Sequence, residues 1–506
     1  MILVGVALNH HDSNISAYIN GVVKYAKYER QFGLKHARAP ITWFFETLKK
    51  WGVNENQIDG FAYVDSFSRI KNNIYDPAPF QGERFLLKED LDYDQYGWYG
   101  FANHLSSDQY VMLDHHFAHM CSNLNFNHNI QAISTDGCGS DAMFCRIINN
   151  KFCEDIILNE KNDMIAPGRI LGKIGNKIGL GGYEIDRCGK IMGLQSYGIP
   201  DPNFVNTFSS MGYVGLKYLK YWIDQLPNNL ELNQDTMNLV ASIFDAVGKV
   251  QKQTFDVFSK KTKIIYSGGV ALNVNWNRDI LDSGYNIDIN PHVYDGGISL
   301  GCLHYLFMKN GMNLNIDKFP YIQDDESPSS TPSKQTIDTV AKLLAQNKIV
   351  GWYQGQGELG PRALGNRSIL MNPSIKDGKD MLNQKVKHRE WWRPFGASVK
   401  QDKASEYFDL DNSPYMLYTA KVLKDNLPSI THVDGTCRHQ TVTPEQNSVF
   451  YDLLDAFENK TGLPVLLNTS LNLGGKPIAG KIEEAVELFQ NSEMDALCVG
   501  DELYVK

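Results

Sequence analysis

The amino-acid sequence opens with an apolar run, Ile2–Leu8, whose length suits a buried strand. A polar segment follows. Two further apolar stretches, Ile15–Ile19 and Val22–Tyr28, then flank Asn20-Gly21, a dipeptide typical of a two-residue hairpin turn. The pattern predicts a strand, a polar turn, a second strand and a hairpin, in that order.

Further along the chain, helical and strand-like periodicities alternate. Apolar residues recur at helical spacing in Ile41–Trp51, Met237–Phe258, Thr336–Gln346 and Val449–Lys460. Short β-rich runs occur at Phe61–Val64, Ala132–Thr135, Lys263–Tyr266, Ile349–Tyr353 and Pro464–Asn468. This alternation predicts an α/β protein. Residues 66–110 are rich in Tyr, Asp, Gly and Pro, and no element is assigned to them.

One polar segment, residues 323–335, combines Pro and Ser with acidic residues and reads as a linker. A new α/β pattern starts directly after it. The sequence therefore predicts two domains, residues 1–322 and 336–506.

Composition narrows the class of protein. The chain has 506 residues, of which 42% are hydrophobic and 21% charged, as in globular proteins. No apolar run approaches the roughly 20 residues that span a bilayer, and the first residues resemble a strand, not a signal peptide. The eight cysteines form no CxxC pair, which argues against a zinc ribbon and for a reducing cytoplasm. The net charge of −9 argues against a surface that coats nucleic acid.

Three histidines within the segment Asp114–His119 indicate a metal site. His115 and His119 are four residues apart, so both rings leave one face of a helix. Asp136 and Asp295 each stand before a glycine turn and can complete the ligand set. Two imidazoles with carboxylates suit Fe(II), Mn(II) or Zn(II), and the spacing does not choose among them.

A second polar turn follows the strand Lys263–Tyr266. Its small residues include Gly268, Gly269 and Asn273, and such a turn before a helix can accept phosphate or ribose. Two polar turns of this kind, far apart in the chain, predict a duplicated actin-like ATPase core.

Basic residues cluster in one stretch of the second half of the chain. Residues 355–395 contain Arg362, Arg367, Arg389, Arg393, Lys385 and Lys387, and Arg438 lies on a later glycine-bearing turn. Gly360-Pro361 excludes a helix before Arg362. Arginines held on such turns suit phosphate or carboxylate, although a basic surface loop is the alternative. Polar residues at the end of the strand Pro464–Asn468 suit a small planar amide.

Eight motifs resemble the O-carbamoyltransferase family, which includes the nodulation-factor and tobramycin carbamoyltransferases. In chain order they are HHFAH, STDGCGS, CGKIMGLQSYG, SGGVALN, GELGPRALGNRS, KHREWWRPF, THVDGTCRHQTV and LPVLLNTSLN. They cover nearly the whole chain, and residues 1–110 match least well.

The resemblance implies an actin-like ATPase (TsaD-like) domain followed by a YrdC-like α/β domain. In the family, carbamoyl phosphate and ATP form carbamoyl-adenylate and pyrophosphate in the second domain. The carbamoyl group then passes to an acceptor hydroxyl at an Fe(II) site in the first domain, and Mg²⁺ is expected to accompany ATP.

The resemblance also implies a role for individual residues. The basic residues matching the family's anion site are Arg362, Lys387, Arg393 and Arg438. The residues matching its carbamoyl, nucleotide and phosphate contacts are Asn468, Ser470, Gly268, Gly269, Asn273 and Lys190. The residues matching its iron ligands are His115, His119, Asp136 and Asp295. His10 or His11 matches the histidine expected to act as general base.

Two positions depart from the family pattern, and the acceptor stays open. Gln195-Ser196 stands where Ala-Pro is common, and Leu471 where Phe is common. The acceptors compatible with the family are a sugar, an aminoglycoside, a macrolide, a lipo-oligosaccharide, or a hydroxymethylated nucleotide or DNA. Residues 66–110 are expected to be an insertion that shapes the acceptor site. A homodimer is also considered. The alternative functions are a kinase or ATPase of the actin-like fold and a binding protein without turnover.

Overall fold

The computed structural model describes residues 1–8, 11–65, 83–84, 110–127, 130–137, 143–148, 156–159 and 165–506. Most of segment 66–110 and the predicted base His10 lie outside these residues. The described chain divides into two compact units. Unit 1 comprises residues 1–162, 260–272 and 286–324, and unit 2 comprises residues 163–259, 273–285 and 325–506.

The first sheet of unit 1 begins with the predicted strand, turn and hairpin. Its strands are β1 (Ile2–Leu8), β2 (Asn14–Ile19), β3 (Val22–Lys27), β4 (Gly60–Asp65), β5 (Glu83–Arg84) and β6 (Tyr110–Leu113). The sheet order is β3-β2-β1-β4-β6-β5. β1 to β3 pair antiparallel, whereas β1, β4 and β6 pair parallel. Asn20 and Gly21 both have positive φ, 47° and 104°, as the predicted two-residue turn requires.

The second sheet of unit 1 repeats this plan. Its strands are β7 (Gln131–Thr135), β8 (Met143–Ile148), β9 (Ile156–Asn159), β10 (Lys263–Ser267) and β11 (Asn286–Asp288), in the order β11-β10-β7-β8-β9. β7 to β9 pair antiparallel, and β7, β10 and β11 pair parallel. Three antiparallel strands followed by two parallel ones thus occur twice, which confirms the predicted duplicated core.

Helices in unit 1 pack on both sheets. The bounds of these helices are Tyr28–Phe32, Ile41–Lys50, His115–Cys121 and Ile298–Lys309. Helix Ile298–Lys309 contacts β1, β2, β4 and helix His115–Cys121. A Cβ on Gly301 would overlap the carbonyl oxygen of Ala118, so glycine allows these two helices to approach closely.

Unit 2 contains an eight-stranded sheet. Its strands are β12 (Val350–Tyr353), β13 (Arg367–Met371), β14 (Gly396–Lys400), β15 (Ala420–Lys421), β16 (Thr436–Val442), β17 (Val465–Ser470), β18 (Ala496–Val499) and β19 (Glu502–Val505). The order is β15-β16-β14-β17-β13-β12-β18-β19. Together with the sheets of unit 1, these strands and helices confirm the predicted α/β class.

The helices of unit 2 lie in two groups along the chain. Those before the eight-stranded sheet are Pro167–Lys177, Glu184–Leu194, Pro202–Ser209, Gly212–Gln225, Gln234–Gln253 and Val274–Asp282. The later ones are Lys334–Ala345, Gly378–Leu382, Ala404–Tyr407, Pro444–Thr461 and Ile482–Gln490. No helix in the described part of the chain is long and apolar enough to cross a membrane.

The predicted linker, 323–335, contains the boundary between the units, which falls after Asp324. One of its residues is nevertheless packed: the carboxylate of Asp325 lies 3.8 Å from Arg367 Nε, and both side chains are fully buried. Residues 163–259 and 273–285 group with the second half of the chain. The predicted domain bounds, 1–322 and 336–506, stay a prediction.

A buried histidine of the unit 2 sheet is expected to make the protein sensitive to acid. His439 is fully buried and stacks on Phe408, with ring centroids 4.4 Å apart. Burial lowers the pKa of His439 to about 4, from 6.5 when unfolded. The unfolded chain therefore takes up a proton first, so stability falls between pH 6.5 and about 4, by up to about 3 kcal/mol. Urea unfolding at pH 7.5 and pH 5 should show a smaller acid loss in His439→Phe than in wild type. An equal loss would contradict this assignment.

Candidate functional sites

Helix His115–Cys121 presents two histidines from one face. Asp114 caps its first turn by accepting a hydrogen bond from the backbone N–H of Phe117 at 3.0 Å. His115 and His119 are buried, and their ring centroids lie 4.7 Å apart. The third histidine, His116, lies 3.1 Å from Ser134 Oγ through Nδ1 and does not join the pair. The spacing of four residues therefore selects the two rings that meet.

Two carboxylates converge on this pair. Asp136 Oδ2 lies 3.0 Å from His115 Nε2 and 3.3 Å from His119 Nε2. Asp295 Oδ1 lies 3.5 Å and 3.3 Å from the same two nitrogens. One ligand atom from each residue lies within 4.8 Å of the others. A tetrahedral ion with bonds of about 2.1 Å separates its ligands by about 3.4 Å, so the set fits one ion.

Backbone contacts hold the two carboxylates in place. Asp136 follows β7, and its Oδ1 accepts a hydrogen bond from Gly269 N at 3.1 Å. A Cβ on Gly269 would lie 2.7 Å from that oxygen, so glycine is needed for the contact. Asp295 begins the turn before helix Ile298–Lys309, and Asn14 Nδ2 donates to its carbonyl oxygen at 2.8 Å.

The electrostatics of the cluster favour a cation. Burial raises the pKa of Asp136, but His115 and His119 outweigh it and hold this pKa well below its usual value. Burial lowers the pKa of His119, whereas Asp136 and Asp295 raise it more strongly, to about 9. Two imidazoles and two carboxylates suit a divalent transition metal, and binding it releases protons from the cluster.

A second buried network adjoins the cluster of His115, His119, Asp136 and Asp295. His11 Nδ1 lies 2.7 Å from Asp12 Oδ2 and 3.7 Å from Asp295 Oδ2. Lys27 Nζ lies 2.6 Å from Asp12 Oδ1 and 2.7 Å from Glu29 Oε1. His36 Nδ1 lies 3.3 Å from Asp12 Oδ2. The ammonium group of Lys27 thus already supplies a cation to these carboxylates.

The sequence did not identify this second network. Glu29 and Lys27 are both charged, yet both are buried. β3 carries two lysines, Lys24 and Lys27, so the sequence pattern does not single out Lys27. Asp12 has a φ of 59°, so its position depends on the turn after β1.

Loss of the Lys27 ammonium is expected to destabilise unit 1. Lys27→Met would leave Asp12 and Glu29 as buried carboxylates without their cation, at a cost of at least about 3 kcal/mol. Thermal unfolding should show a lower midpoint in this variant. Lys24→Met, on the same strand but only half-buried, is the matched control and should change the midpoint little. Equal midpoints for the two variants would contradict the assignment.

In unit 2, Lys387 joins the predicted basic segment to the end of β17. Its Nζ donates to Ser470 O and Asn472 O, each at 2.8 Å, and to Asn472 Oδ1 at 2.7 Å. Ser470 Oγ lies 3.4 Å from the same nitrogen. Lys387 and Ser470, both predicted site residues, are therefore in contact, and the sequence missed Asn472.

Three guanidinium groups lie close enough to repel one another. Burial and the charges of Arg393 and Arg438 hold the pKa of Arg389 well below its usual value. Burial, with a contribution from Arg393, lowers the pKa of Arg438 to about 10. The Nε atoms of Arg389 and Arg438 are buried without a hydrogen-bond partner in the described structure. An anion bound here relieves this repulsion, so the cluster is a candidate anion site.

Strand register places Arg438 and Asn468 on one face of the sheet. Both residues pair with Gly396 of β14, one on each side, and paired residues point to the same face. Asn468 Nδ2 donates to the carbonyl oxygen of Ala363 at 3.2 Å. Arg362, which is half-buried, is the neighbour of Ala363. The loop that carries Arg362 therefore contacts Asn468 through the backbone of Ala363.

Lys190 is tied to the same basic segment. Its Nζ lies 2.6 Å from Glu390 Oε1, and Arg393 Nη1 lies 3.5 Å from Glu390 Oε2. Trp392 Nε1 donates to Lys190 O at 3.2 Å. The ammonium group of Lys190 is thus paired with the carboxylate of Glu390, and its contact with phosphate stays a prediction.

The remaining predicted residues lie outside the basic cluster of unit 2. Gly268, with a φ of 87°, and Gly269 lie beside Asp136 in unit 1. Asn273 caps helix Val274–Asp282 by accepting from Trp276 N at 3.2 Å. Arg367, from the basic segment, is fully buried and donates to four backbone carbonyl oxygens. Its role is structural, which the sequence did not distinguish.

Comparison with known proteins finds relatives along much of the chain. A family model described as "Carbamoyltransferase C-terminus" matches residues 341–506. Nodulation protein NolO of Bradyrhizobium diazoefficiens is 33% identical over 374 residues, which are 64% of this chain and 68% of the relative. Nodulation protein NolNO of Sinorhizobium fredii is 32% identical over 366 residues, 64% of this chain and 54% of the relative.

A third relative carries an activity in its name. The 3'-hydroxymethylcephem-O-carbamoyltransferase of Streptomyces clavuligerus is 31% identical over 277 residues, 53% of this chain. The chain spans about half the length of this relative and of NolNO, 52% and 54%.

Solved structures are more distant. Component A of the (R)-2-hydroxyglutaryl-CoA dehydratase of Acidaminococcus fermentans is 12% identical, with a TM-score of 0.37 over 61% of this chain and 99% of its own. HypF of T. kodakarensis is 13% identical, with a TM-score of 0.30 over 62% of this chain and 48% of its own. The fold assignment therefore rests on the strand order described above.

Proposed function

We propose a reaction for this chain on the basis of its family, because the chain belongs to the O-carbamoyltransferase family. As a member of that family, it is a transferase. We propose that it uses ATP to transfer the carbamoyl group of carbamoyl phosphate to the hydroxyl group of an acceptor. The observation that carries the proposal is the cluster of Arg389, Arg393 and Arg438, because both co-substrates are anions.

The first half-reaction is assigned to unit 2. Carbamoyl phosphate, ATP and water yield carbamoyl-adenylate, pyrophosphate and inorganic phosphate, so the carbamoyl carbon exchanges one phosphate for the α-phosphate of ATP. Arg362, Arg393 and Arg438 are proposed to hold the phosphates. Asn468 and Ser470, the latter in contact with Lys387, are proposed to hold the carbamoyl amide. Lys190 is proposed to approach phosphate once it exchanges its contact with Glu390.

The second half-reaction is assigned to unit 1. The acceptor hydroxyl takes the carbamoyl group, AMP leaves and one proton is released. Gly268 and Gly269 are proposed to contact the nucleotide, and Asn273 stays a predicted contact. His115, His119, Asp136 and Asp295 would hold a divalent metal, Fe(II) by family resemblance, which supplies Lewis-acid polarisation of bound oxygens when present.

His11 is the described candidate for the proton acceptor. Its Nδ1 faces Asp12 at 2.7 Å, which leaves Nε2 to receive the proton of the acceptor hydroxyl. Burial lowers the pKa of His11, but Asp295 and Asp12 raise it more strongly, to about 9. A cation held by Asp295 opposes that increase and so favours the neutral, proton-accepting ring.

The acceptor is proposed to be a small molecule with a free hydroxyl group. One relative acts, by its name, on a hydroxymethyl group, and a net charge of −9 disfavours a polyanion. A hydroxymethylated nucleotide or DNA, the homodimer and the cytoplasmic location stay predictions.

Two assays test the proposal together. The protein is incubated with carbamoyl phosphate and ATP, and pyrophosphate and AMP are measured. Mass spectrometry then looks for the gain of one carbamoyl group across a panel of hydroxyl compounds that includes sugars, aminoglycosides, a hydroxymethylcephem and hydroxymethylated DNA. Formation of ADP with a phosphorylated product would instead support the kinase alternative.

A further inference from the structure

Asn468 lies at the end of a buried hydrogen-bond relay. Gln440 Nε2 donates to Leu364 O at 2.9 Å, and Ser398 Oγ donates to Gln440 Oε1 at 2.8 Å. Asn468 Nδ2 donates to Ser398 Oγ at 2.8 Å and to Ala363 O at 3.2 Å. The three side chains of the relay are all buried.

Two carbonyl groups fix the direction of the whole relay. A backbone carbonyl oxygen only accepts, so the atom of Gln440 that faces Leu364 must be its amide nitrogen. The remaining oxygen of Gln440 then accepts the hydroxyl proton of Ser398. The amide nitrogen of Asn468 must likewise face Ala363, and its second N–H donates to the lone pair of Ser398. The amide orientation of Asn468 therefore follows from its neighbours.

This orientation leaves one acceptor without a donor. Asn468 Oδ1 is buried and has no hydrogen-bond partner in the described structure. An oxygen in this state is satisfied only by a group that carries an N–H or O–H. A ligand that places a methyl group there would leave the oxygen desolvated and unpaired.

The unpaired amide oxygen of Asn468 belongs to the same part of the sheet as the candidate anion site. Asn468 and Arg438 share the pairing partner Gly396. Ser470, two residues along β17 from Asn468, points to the same face and contacts Lys387. An acyl phosphate held by the basic residues would thus present its acyl end near Asn468.

We propose that Ser398 and Gln440 are positioning residues that select the acyl donor by fixing the amide oxygen of Asn468. The inference rests on the proposed function and deepens it. Carbamoyl phosphate carries an NH₂ group that can donate to this oxygen. Acetyl phosphate has the same shape with a methyl group in that place, so the subsite discriminates against it.

Binding of the two acyl phosphates to the full-length protein tests the proposal. Titration calorimetry without ATP gives the dissociation constants of carbamoyl phosphate and acetyl phosphate for wild type, Ser398→Ala and Thr441→Val. Thr441 is the matched control, because its buried hydroxyl accepts from Ser413 N at 3.1 Å and its side chain leaves the opposite face of β16. Thermal unfolding verifies that each variant is folded.

The expected result is a marked preference of wild type for carbamoyl phosphate. Ser398→Ala should reduce that preference about tenfold, by weakening carbamoyl phosphate while leaving acetyl phosphate unchanged, and Thr441→Val should retain it. Equal binding of both compounds by wild type overturns the inference even if the variants fail to fold. An undiminished preference in folded Ser398→Ala also overturns it. A wild type that shows the preference but releases no pyrophosphate with ATP supports the inference and contradicts the proposed function.

Discussion

Replacement of Arg438 by alanine is expected to lower the rate of pyrophosphate release by about 10²–10³-fold. Arg438 is half-buried beside Arg393, and its buried Nε has no hydrogen-bond partner in the described chain. A guanidinium group held this way is already partly desolvated, which strengthens its interaction with a phosphate. The measurement is a coupled assay of pyrophosphate release from ATP and carbamoyl phosphate.

A second arginine of unit 2 serves as the control for this prediction. Arg278 makes two hydrogen bonds of 3.0 Å to Asp409 and one of 2.8 Å to Asp282. Because its charge is already paired with carboxylates, Arg278→Ala should retain most of the rate. An equally large loss of rate in Arg278→Ala would show that the effect of Arg438→Ala is only structural, and a retained rate in Arg438→Ala would contradict the prediction.

Removal of one of the four converging ligands is expected to abolish carbamoyl transfer while pyrophosphate release continues. His119→Ala and Asp295→Asn each remove one ligand atom from the cluster in unit 1. Loss of even an outer contact to a metal ligand costs 10–100-fold, so loss of a ligand should reduce transfer by at least about 100-fold. Pyrophosphate release is assigned to unit 2, and it should change little. Elemental analysis of the purified variants measures the bound metal directly.

His116→Asn is the matched control for these variants. His116 lies on the same helix and is buried, but it lies 3.1 Å from Ser134 Oγ and takes no part in the cluster. The asparagine amide can replace its Nδ1 contact. This variant should retain metal and transfer. Full metal content in His119→Ala would refute the ligand assignment.

Local patterns in the sequence determined the elements that frame both sites. Asn20-Gly21 encodes its hairpin because the turn needs two residues with positive φ, a property of those residues alone. His115 and His119 share a face because a helix brings residues four apart together. Asp136 was found because a polar residue after a short apolar strand lies at the sheet edge.

Only the tertiary structure separated the roles of similar charged residues. Arg367 and Arg438 look alike in the sequence, yet Arg367 is enclosed by backbone carbonyls while Arg438 lies among like charges. Lys27 belongs to a buried ion network with Asp12 that no local pattern shows. Solvation and charge partners depend on chain segments far apart in sequence, so burial decides each role after folding.

The register of the unit 2 sheet decided the rest of the candidate site. Ser398, Gln440 and Asn468 lie on three different strands, and their hydrogen bonds join residues 42 and 70 positions apart. A shift of one residue would turn every side chain of a strand to the other face. The amino-acid sequence by itself therefore determined which elements form and which residue types stand at their ends. The pairing of those elements, which depends on packing over the whole unit, determined which side chains meet.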